Sequence, residues 1–453
     1  MNPRVSSVGA RLLFVPSRTE TSAMPPNSRR KCCWVSPRYN LRHRVGTEEQ
    51  KTARLRGDVT EQTKVNKGAS IETVGVVQGQ ASPITPTVRP VSSRVLSIDA
   101  LRGFDMFWLM QEGTGFALTL AVALHLPFKE VLARQLEHSE WLGFTFWDFI
   151  APLFLFVVGL SMPFALSRRI AQGADRQALF RHVLKRTIVL IVLGLVFNGI
   201  LRLDFAHFRY AGVLQRIALS YFFAAVIVLT CRIRVQAIWT AVLLLAYWAM
   251  MALIPVPGFG QGVYTPAGNL EGYIDRLFLP GKFCCFGFGD NEGYLSTIPS
   301  IATVMFGVLC GHLIRSSLTN AKKLQILIVG GIVSLGAGLL WGTIFPIITK
   351  LWTSSYTLYA NGWCMLLFAL FYGIIDVRGW RKWTFPFVVV GLNSITIYVV
   401  QSQFDFSHVS NIFVSGLANH AGQYSVLLVG ASVVLVKWLF LYFLYRQEIF
   451  LKA

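Results

Sequence analysis

Ionisable side chains stand beside or inside several apolar segments of this chain. The run HSEWLGFTFWDF places His138 and Glu140 just before such a segment and Asp148 inside it. A neutral imidazole titrates near pH 6.5 and can accept a proton from an amine, and a nearby carboxylate can orient it. The competing interpretation of His138 is a solvated loop side chain, and spacing alone leaves both open.

A second polar run, SIDALRGFDMFWLMQEG, contains Asp99, Arg102, Asp105 and Glu112. Asp99 and Arg102 are three residues apart and share a helix face. They are either a helix-start pair with a snorkelling arginine or part of a site. Glu112 lies deeper, beside glycines that favour a break or close backbone approach. We expect Glu112 to face a cavity, because ionisable groups inside a bilayer are costly unless they have a function.

Arg216 follows Gln215 in the run RYAGVLQRIALSYFF, about one turn inside an apolar segment. An arginine inside a membrane needs a carboxylate, a carbonyl or an anionic ligand. Asp105 or Asp148 could be that partner, and a ligand phosphate is an equal alternative. Asn393, in GLNSITIY, can hydrogen-bond across helices and is also a candidate substrate contact.

The segments that position these residues are too apolar for a water-soluble protein. Of the 453 residues, 54% are hydrophobic and 14% are charged, and the mean hydropathy is +0.52. Soluble domains carry about 25% charged residues. Runs of about 20 apolar residues cross a bilayer as helices. The sequence therefore predicts an all-α polytopic membrane protein with about ten transmembrane helices, near 104–124, 144–166, 187–201, 211–230, 236–254, 294–314, 324–348, 356–375, 385–401 and 425–445.

The net charge of +20 reflects membrane topology rather than a nucleic-acid partner. Residues 1–92 hold fifteen Lys or Arg against six Asp or Glu. In the loops beyond them, sixteen Lys or Arg fall on the predicted inner side and seven on the outer side. This bias follows the positive-inside rule and predicts that both termini are cytoplasmic.

Two regions differ in composition. Residues 1–92 lack sustained periodicity and are predicted to be a basic, disordered tail. Residues 93–453 form the predicted transmembrane domain. Its long connections, near 125–143, 255–293 and 402–424, all lie on the predicted outer face, where long loops tend to carry function. The seven cysteines show no metal-ligand spacing, so no metal is expected.

Six blocks occur in one order from Val95 toward the C-terminus. They are SIDALRGFDMFW (97–108), HSEWLGFTFWDFIAPLFLFVVG (138–159), RYAGVLQRIALSYF (209–222), DNEGYLSTIPSIATVMFGVLCG (290–311), LWTSSYTL (351–358) and GLNSITIYV (391–399). A single DALRG element is a weak signal, but six ordered blocks are a strong one. Together they resemble the heparan-α-glucosaminide N-acetyltransferase family and its bacterial relatives.

The resemblance implies transfer of an acetyl group from cytoplasmic acetyl-CoA to an amino sugar on the far side of the membrane. The family's essential histidine corresponds to His138. Lysosomal members use an asparagine near the outer end of the first conserved helix, where this sequence has Gln111, Glu112 and Gly113. Glu112 or Gln111 would take its place, and Glu112 or Glu140 could orient the imidazole.

The remaining candidates contact the two substrates. Arg102, Arg216 and Lys185 are candidates for the CoA phosphates, which favour cationic partners. Asp148, Trp141, Trp352 and Asn393 are candidates for the acceptor. The two tryptophans could stack on a sugar ring, and the interfacial aromatic belt explains them equally well.

Two other functions fit the same residues. One is a transporter of amino sugars or oligosaccharides, and the other is a membrane O-acyltransferase acting on envelope glycans. The simple layout without a recognisable lumenal domain predicts a bacterial plasma (inner) membrane location. The sequence leaves the oligomeric state open, with a homodimer as one alternative.

Overall fold

The structure is a computed structural model that describes residues 95–110, 116–117, 119–121, 124, 127–205, 207–284 and 287–451. The predicted tail 1–92 and the candidate Glu112 lie outside the described residues. Within the described part of the chain, helices are joined by loops that contain three isolated bridges and no strand. The predicted all-α class is confirmed.

Fourteen α-helices have their bounds in the described residues, and we number them in chain order. They are α1 (Leu96–Leu109), α2 (Lys129–Gln135), α3 (Phe146–Ala171), α4 (Arg176–Phe197), α5 (Val213–Thr230), α6 (Ile233–Leu253), α7 (Leu270–Phe278), α8 (Thr297–Arg315), α9 (Asn320–Gly342), α10 (Ser354–Tyr372), α11 (Phe385–Leu392), α12 (Ser394–Gln403), α13 (Phe406–His420) and α14 (Ser425–Arg446).

Seven of the described helices are long and apolar enough to cross a membrane: α3, α5, α6, α8, α9, α10 and α14. An eighth span results if α11 and α12, which meet at a bend of 59°, are counted together. Two segments predicted as spans do not meet these criteria. Helix α1 is described over 14 residues, and α4 carries Arg181, Lys185 and Arg186 in its first half. The chain is therefore a multi-pass integral membrane protein.

Helices α3 and α8 lie at the centre of the bundle. Their most apolar windows are 78% and 72% buried, against 22% for α9 and 17% for α14. Small residues let the two central backbones approach closely. A Cβ atom on Gly159 would lie 1.9 Å from the Val304 carbonyl oxygen, and one on Gly307 would lie 2.0 Å from that of Phe156. This contact holds the middle of α3 closely against the central helix α8.

Candidate active site

A histidine–aspartate pair joins the loop before α3 to the first turn of that helix. His138 Nδ1 lies 2.7 Å from Asp148 Oδ1. The Asp148 side chain is fully buried, whereas 22% of the His138 side chain is exposed. A carboxylate that accepts the Nδ1 proton leaves the Nε2 lone pair of the imidazole available as a base. The sequence placed these two residues in one region without predicting their bond.

Local sequence explains why Asp148 is held in place. Thr145 is the N-cap of α3, and its hydroxyl accepts a bond from the Asp148 backbone N–H in a capping box. In return, Asp148 Oδ2 accepts from the backbone N–H of Thr145 at 3.1 Å and of Ser139 at 3.2 Å. Oδ1 is thereby left for His138. The aspartate that caps α3 therefore also hydrogen-bonds the imidazole of His138.

His138 and Asp148 line a small cavity of about 40 Å³. Besides this pair, the lining residues are Leu109, Trp147, Ile150, Ala151, Arg216, Asn291, Glu292, Thr349, Trp352 and Tyr356. Five helices or their flanking loops contribute, so the cavity exists only in the folded bundle. Four predicted site residues, His138, Asp148, Arg216 and Trp352, meet here.

Arg216 comes from the first turn of α5 and is 3% exposed. Its Nη2 donates to the Ser296 hydroxyl, and its guanidinium carbon lies 4.7 Å from the centre of the Trp352 ring. Nε and Nη1 have no hydrogen-bond partner among the described residues. The sequence predicted Asp105 or Asp148 as ion-pair partners, but no ion pair of Arg216 occurs in the described structure.

The segment before α10 supplies two aromatic walls of the cavity. Trp352 has a left-handed backbone with φ of 50°, which a side chain other than glycine adopts at a cost of about 1–3 kcal/mol. Its indole N–H donates to the Thr303 hydroxyl at 3.3 Å. Tyr356, four residues on, donates to the Asp148 carbonyl oxygen at 2.7 Å. These bonds tie the start of α10 to α3 and α8 and hold Trp352 under Arg216.

A cluster of charged side chains around Arg209 lies in the loops next to the cavity. Arg209 Nε donates to Asp290 Oδ2 at 2.8 Å, and its Nη2 contacts both Asp290 and Glu292. Asp290 also accepts the backbone N–H groups of Cys284 at 2.8 Å and Glu292 at 2.9 Å. Glu292 also lines the cavity. The ion pairs of Arg209 therefore fix one cavity wall.

Burial and neighbouring charges shift the pKa values of the residues in this loop cluster. Burial raises the pKa of Asp290, but the hydrogen bonds and charge of Arg209 outweigh it, so the pKa lies below its ordinary value. Burial lowers the pKa of Arg209, and the charges of Glu292 and Asp290 more than reverse this effect. Asp275 differs because burial raises its pKa to about 6, although it accepts two backbone N–H groups.

Two predicted site residues lie near His138 without lining the cavity. Glu140 is exposed, and its backbone carbonyl accepts a bond from the Lys350 ammonium. Trp141 donates its indole N–H to the Tyr264 carbonyl at 2.9 Å, and the Lys350 ammonium lies 5.9 Å from the centre of its ring. His138 pairs with Asp148, and of the two carboxylates expected to orient it, Glu140 lies outside the cavity and Glu112 lies outside the described residues.

Three other predicted residues lie away from the cavity. Arg102 pairs with Asp99 at 3.6 Å in the first half of α1, whereas Leu109, at the end of that helix, lines the cavity. Lys185 is exposed on α4. Asn393 is buried at the bend between α11 and α12 and donates to the Ile449 carbonyl at 3.1 Å. The contact predicted for Asn393 across elements is present, and it joins the bend to the C-terminal segment.

Sequence reasoning missed one buried cation. Lys437, in α14, is 3% exposed and donates to the Met110 carbonyl at 3.2 Å and to Gln401 Oε1 at 3.1 Å. Gln401 in turn donates to the Leu109 carbonyl at 3.3 Å. These bonds hold the end of α1 where Leu109 enters the cavity. The available signal was simple, because Lys437 is the one charged residue within the apolar run 425–445.

Tyr356 and Glu292 were also absent from the predicted site. Tyr356 lies in LWTSSYTL, one of the blocks that carry the resemblance, but a tyrosine in an apolar run carries no signal of its own. Glu292 precedes α8 and looks like a polar entry residue. The folded structure brings both residues to the cavity wall. Tyr356 bonds to the Asp148 carbonyl, and Glu292 contacts Arg209.

Comparison with known proteins identifies the family. Residues 94–341, more than half of the chain, match the profile described as heparan-alpha-glucosaminide N-acetyltransferase, catalytic. Human heparan-alpha-glucosaminide N-acetyltransferase is 25% identical over 431 residues, which cover 82% of this chain and 63% of the human protein. The mouse protein of the same name is 27% identical over 381 residues, which cover 71% of this chain and 56% of the mouse protein.

The chain spans less than two thirds of the length of these two relatives. The matched region nevertheless contains most of the cavity, including His138, Asp148 and Arg216. The profile ends at residue 341, before Trp352 and Tyr356, and the two longer alignments cover most of the chain. The match over more than half of the chain confirms the predicted resemblance: this protein belongs to the heparan-alpha-glucosaminide N-acetyltransferase family.

Proposed function

We propose that this protein transfers an acetyl group from acetyl-CoA to the amino group of a sugar. The observation that carries the proposal is the bond of 2.7 Å between His138 and Asp148 on the wall of a cavity. The human and mouse relatives are named as N-acetyltransferases, which supports the same reaction class. Acetyl transfer to an amine needs a base, and this pair can supply one.

His138 is the proposed general base. Asp148 accepts the Nδ1 proton and holds the ring, so Nε2 can take a proton from the attacking amine. The amine nitrogen then forms a bond to the thioester carbon, and the carbon–sulfur bond breaks. The imidazolium returns its proton to the departing thiolate of CoA. Trp147 and Trp352 also line the cavity.

The residues present fit the reactive end of acetyl-CoA better than its nucleotide. The cavity beside His138 is small and is lined by the proposed base, a cation and aromatic rings, which suit a thioester rather than a nucleotide. Arg216 is the cofactor contact that we place there, because its unpartnered N–H groups can donate to an acyl oxygen. Arg102 and Lys185 lie away from this cavity and are the proposed contacts of the CoA phosphates. Trp352, which lines the cavity, is the proposed contact of the acceptor.

We further propose that the reaction crosses the membrane. The loops around His138 are on the side predicted to be outside, and the basic loops predicted to be inside can attract the anionic donor from the cytoplasm. Transfer would then deliver acetyl groups to a glycan at the outer surface of a bacterial plasma membrane. The proposed acceptor is an amino sugar, because the human and mouse relatives are named as glucosaminide N-acetyltransferases.

The test is acetyl transfer from labelled acetyl-CoA to glucosamine by the purified full chain in detergent. Wild type should form N-acetylglucosamine, and His138→Ala should lose about 10²–10⁴-fold in rate. The matched control is His207→Ala. His207 also pairs with an aspartate, at 3.1 Å from Asp204, but that pair is exposed and lies outside the cavity. The control should keep wild-type activity.

Other products would point to the alternatives. An ester-linked acetyl group on the sugar would identify an O-acyltransferase that uses the same base. Uptake of amino sugar into proteoliposomes without CoA would identify a transporter. Equal activity of wild type and His138→Ala would refute the role assigned to the histidine.

A further inference from the structure

Arg216 makes too few bonds for a purely structural arginine. It is 3% exposed, yet Nε and Nη1 have no partner among the described residues. Leaving a buried donor unsatisfied costs about 1–3 kcal/mol, and more for a charged group. A fold tolerates such a cost where the free donors serve a ligand. The two free N–H groups belong to a side chain that lines the same cavity as His138.

The rest of the guanidinium is held rigidly. Nη2 donates to the Ser296 hydroxyl, and the Trp352 ring lies under the guanidinium at 4.7 Å. One face and the Nη2 donor are therefore occupied. Nε–H lies on the same side of the planar guanidinium as Nη2, and Nη1 lies on the opposite side, so the two unpartnered nitrogens donate in different directions and either one can donate to a ligand oxygen. Such preorganised donors stabilise a developing negative charge most effectively in a site with little water.

We propose that Arg216 binds the acyl oxygen of the thioester and stabilises the oxyanion that forms during transfer. This inference rests on the proposed function. When the amine nitrogen attacks the carbonyl carbon, the C=O electron pair moves onto oxygen and His138 takes the amine proton. Arg216 holds the resulting alkoxide through one of its unpartnered N–H donors. The carbonyl re-forms as the carbon–sulfur bond breaks, and the thiolate leaves with the proton from His138.

This assignment replaces a phosphate contact for Arg216. The pantetheine arm separates the phosphates of CoA from its thioester, so a side chain beside the base cannot serve both ends of one donor molecule. Arg216 shares the cavity with His138 and Asp148, whereas Arg102 and Lys185 do not. Its neighbours Trp352 and Ser296 supply no second cation, which a phosphate cluster would need.

The experiment compares catalysis with the binding of a donor analogue that has no carbonyl. Transfer to glucosamine and the affinity for S-ethyl-CoA are measured for wild type, Arg216→Gln and Arg216→Lys. In S-ethyl-CoA a methylene replaces the carbonyl, and the phosphates are unchanged. We expect Arg216→Gln to lower kcat about 10²–10³-fold and to leave the affinity for the analogue unchanged. Arg216→Lys keeps the charge but lacks the fork, and it should recover only part of the rate.

The outcomes separate this inference from the proposed function. Loss of analogue affinity with unchanged kcat would show a phosphate contact and overturn the inference, and so would wild-type kcat in Arg216→Gln. No transfer by wild type to any amine would overturn the proposed function and the inference with it. Arg234→Gln, an exposed arginine at the start of α6, is the matched control. If Arg216→Gln fails to fold, retained analogue binding with a lowered kcat in Arg216→Lys tests the same claim.

Discussion

Arg209, which is half-buried, and Arg216, which is buried, are two arginines of one sequence block with opposite surroundings. Arg209 is enclosed by the carboxylates of Asp290 and Glu292. Arg216 contacts a hydroxyl and an aromatic ring, and two of its donors have no partner among the described residues. The first arrangement satisfies a charge within the protein, and the second leaves a charge available. Burial alone therefore does not distinguish an arginine that only stabilises the fold from one that is available to a ligand. The number of its N–H donors that have a hydrogen-bond partner makes that distinction.

The same comparison applies to the two aspartates beside them. Asp148 and Asp290 are both buried and both accept backbone N–H groups. Asp290 uses its remaining capacity on Arg209, whereas Asp148 uses it on a histidine whose second nitrogen is free to react. If this comparison is correct, changes around Asp148 and Arg216 will lower activity, and changes around Asp290 and Arg209 will lower stability.

The largest effect should come from Asp148→Asn. Without the carboxylate, His138 loses the partner that fixes its tautomer and orientation, so kcat for acetyl transfer should fall about 10²–10⁴-fold. Thermal unfolding in detergent should change little, because an amide oxygen can still accept the capping bonds. Asp204→Asn, in the exposed pair with His207, is the control. Wild-type kcat in Asp148→Asn would remove the dyad from the chemistry.

Arg209→Gln should destabilise the fold more than it changes chemistry. It leaves Asp290 and Glu292 without their cation, and breaking a buried pair in this way costs about 3–5 kcal/mol. The free energy of unfolding, followed by denaturant titration of the detergent-solubilised protein, measures this loss. The double variant Arg209→Gln with Asp290→Asn should recover part of it. The comparison fails if Arg209→Gln loses as much kcat as Arg216→Gln while its stability is unchanged.

The loop cluster should also make stability depend on pH. Burial raises the pKa of Asp275 from 3.8 to about 6. The folded state thus binds this proton more tightly, so the stability that Asp275 contributes is full below about pH 4 and is lost as the pH rises through 6. About two pKa units correspond to a loss of about 3 kcal/mol. Between pH 4 and pH 7, the free energy of unfolding of wild type should fall relative to that of Asp275→Asn by about this amount.

The subtraction is needed because Asp290 acts in the opposite direction. Because the pKa of Asp290 is lowered in the folded state, Asp290 stabilises the fold at pH values above its ordinary pKa. This stability is lost as the pH falls. Both variants retain Asp290, so its contribution cancels in the difference between wild type and Asp275→Asn. Parallel curves for the two proteins would show that Asp275 titrates normally in the folded state.

The smallest effect is expected for Trp352→Phe. Phenylalanine keeps an aromatic face under Arg216 but binds a cation less strongly and loses the bond to Thr303. A cation–π contact at a desolvated site is worth about 2 kcal/mol, and we expect kcat to fall by less than the equivalent of that energy. Trp341→Phe, outside the cavity, is the control. A loss as large as that of Arg216→Gln would mean that Trp352 itself contacts the reacting groups.

Sequence was most informative where the determining interactions are short in range. The apolar runs predicted an all-α membrane protein because a bilayer forces each spanning segment to satisfy its own backbone. The predicted number of helices was less secure. Helix α4 combines a long run with four Lys or Arg residues in its first half, and α11 and α12 break at Asn393 within one predicted span. Hydrophobic length cannot distinguish such segments from simple crossings.

Part of the site followed from the same local logic. His138 and Asp148 are ten residues apart, and both lie at the entry of α3, where a capping box holds the aspartate. The sequence therefore brought the two residues into one region. It did not assign the orienting role to Asp148, because an aspartate at a helix start is usually explained by its cap alone.

The sequence by itself determined the helices, the basic loops and the histidine at the entry of α3, since each depends on neighbouring residues. Only the tertiary structure decided that Arg216 meets Ser296 and Trp352 while Arg209 meets Asp290. Those partners are 80 or more residues away along the chain, and no spacing in the sequence encodes them. They are set by how closely α3, α5 and α8 pack, and that packing decides which buried charge is satisfied and which remains free for a ligand.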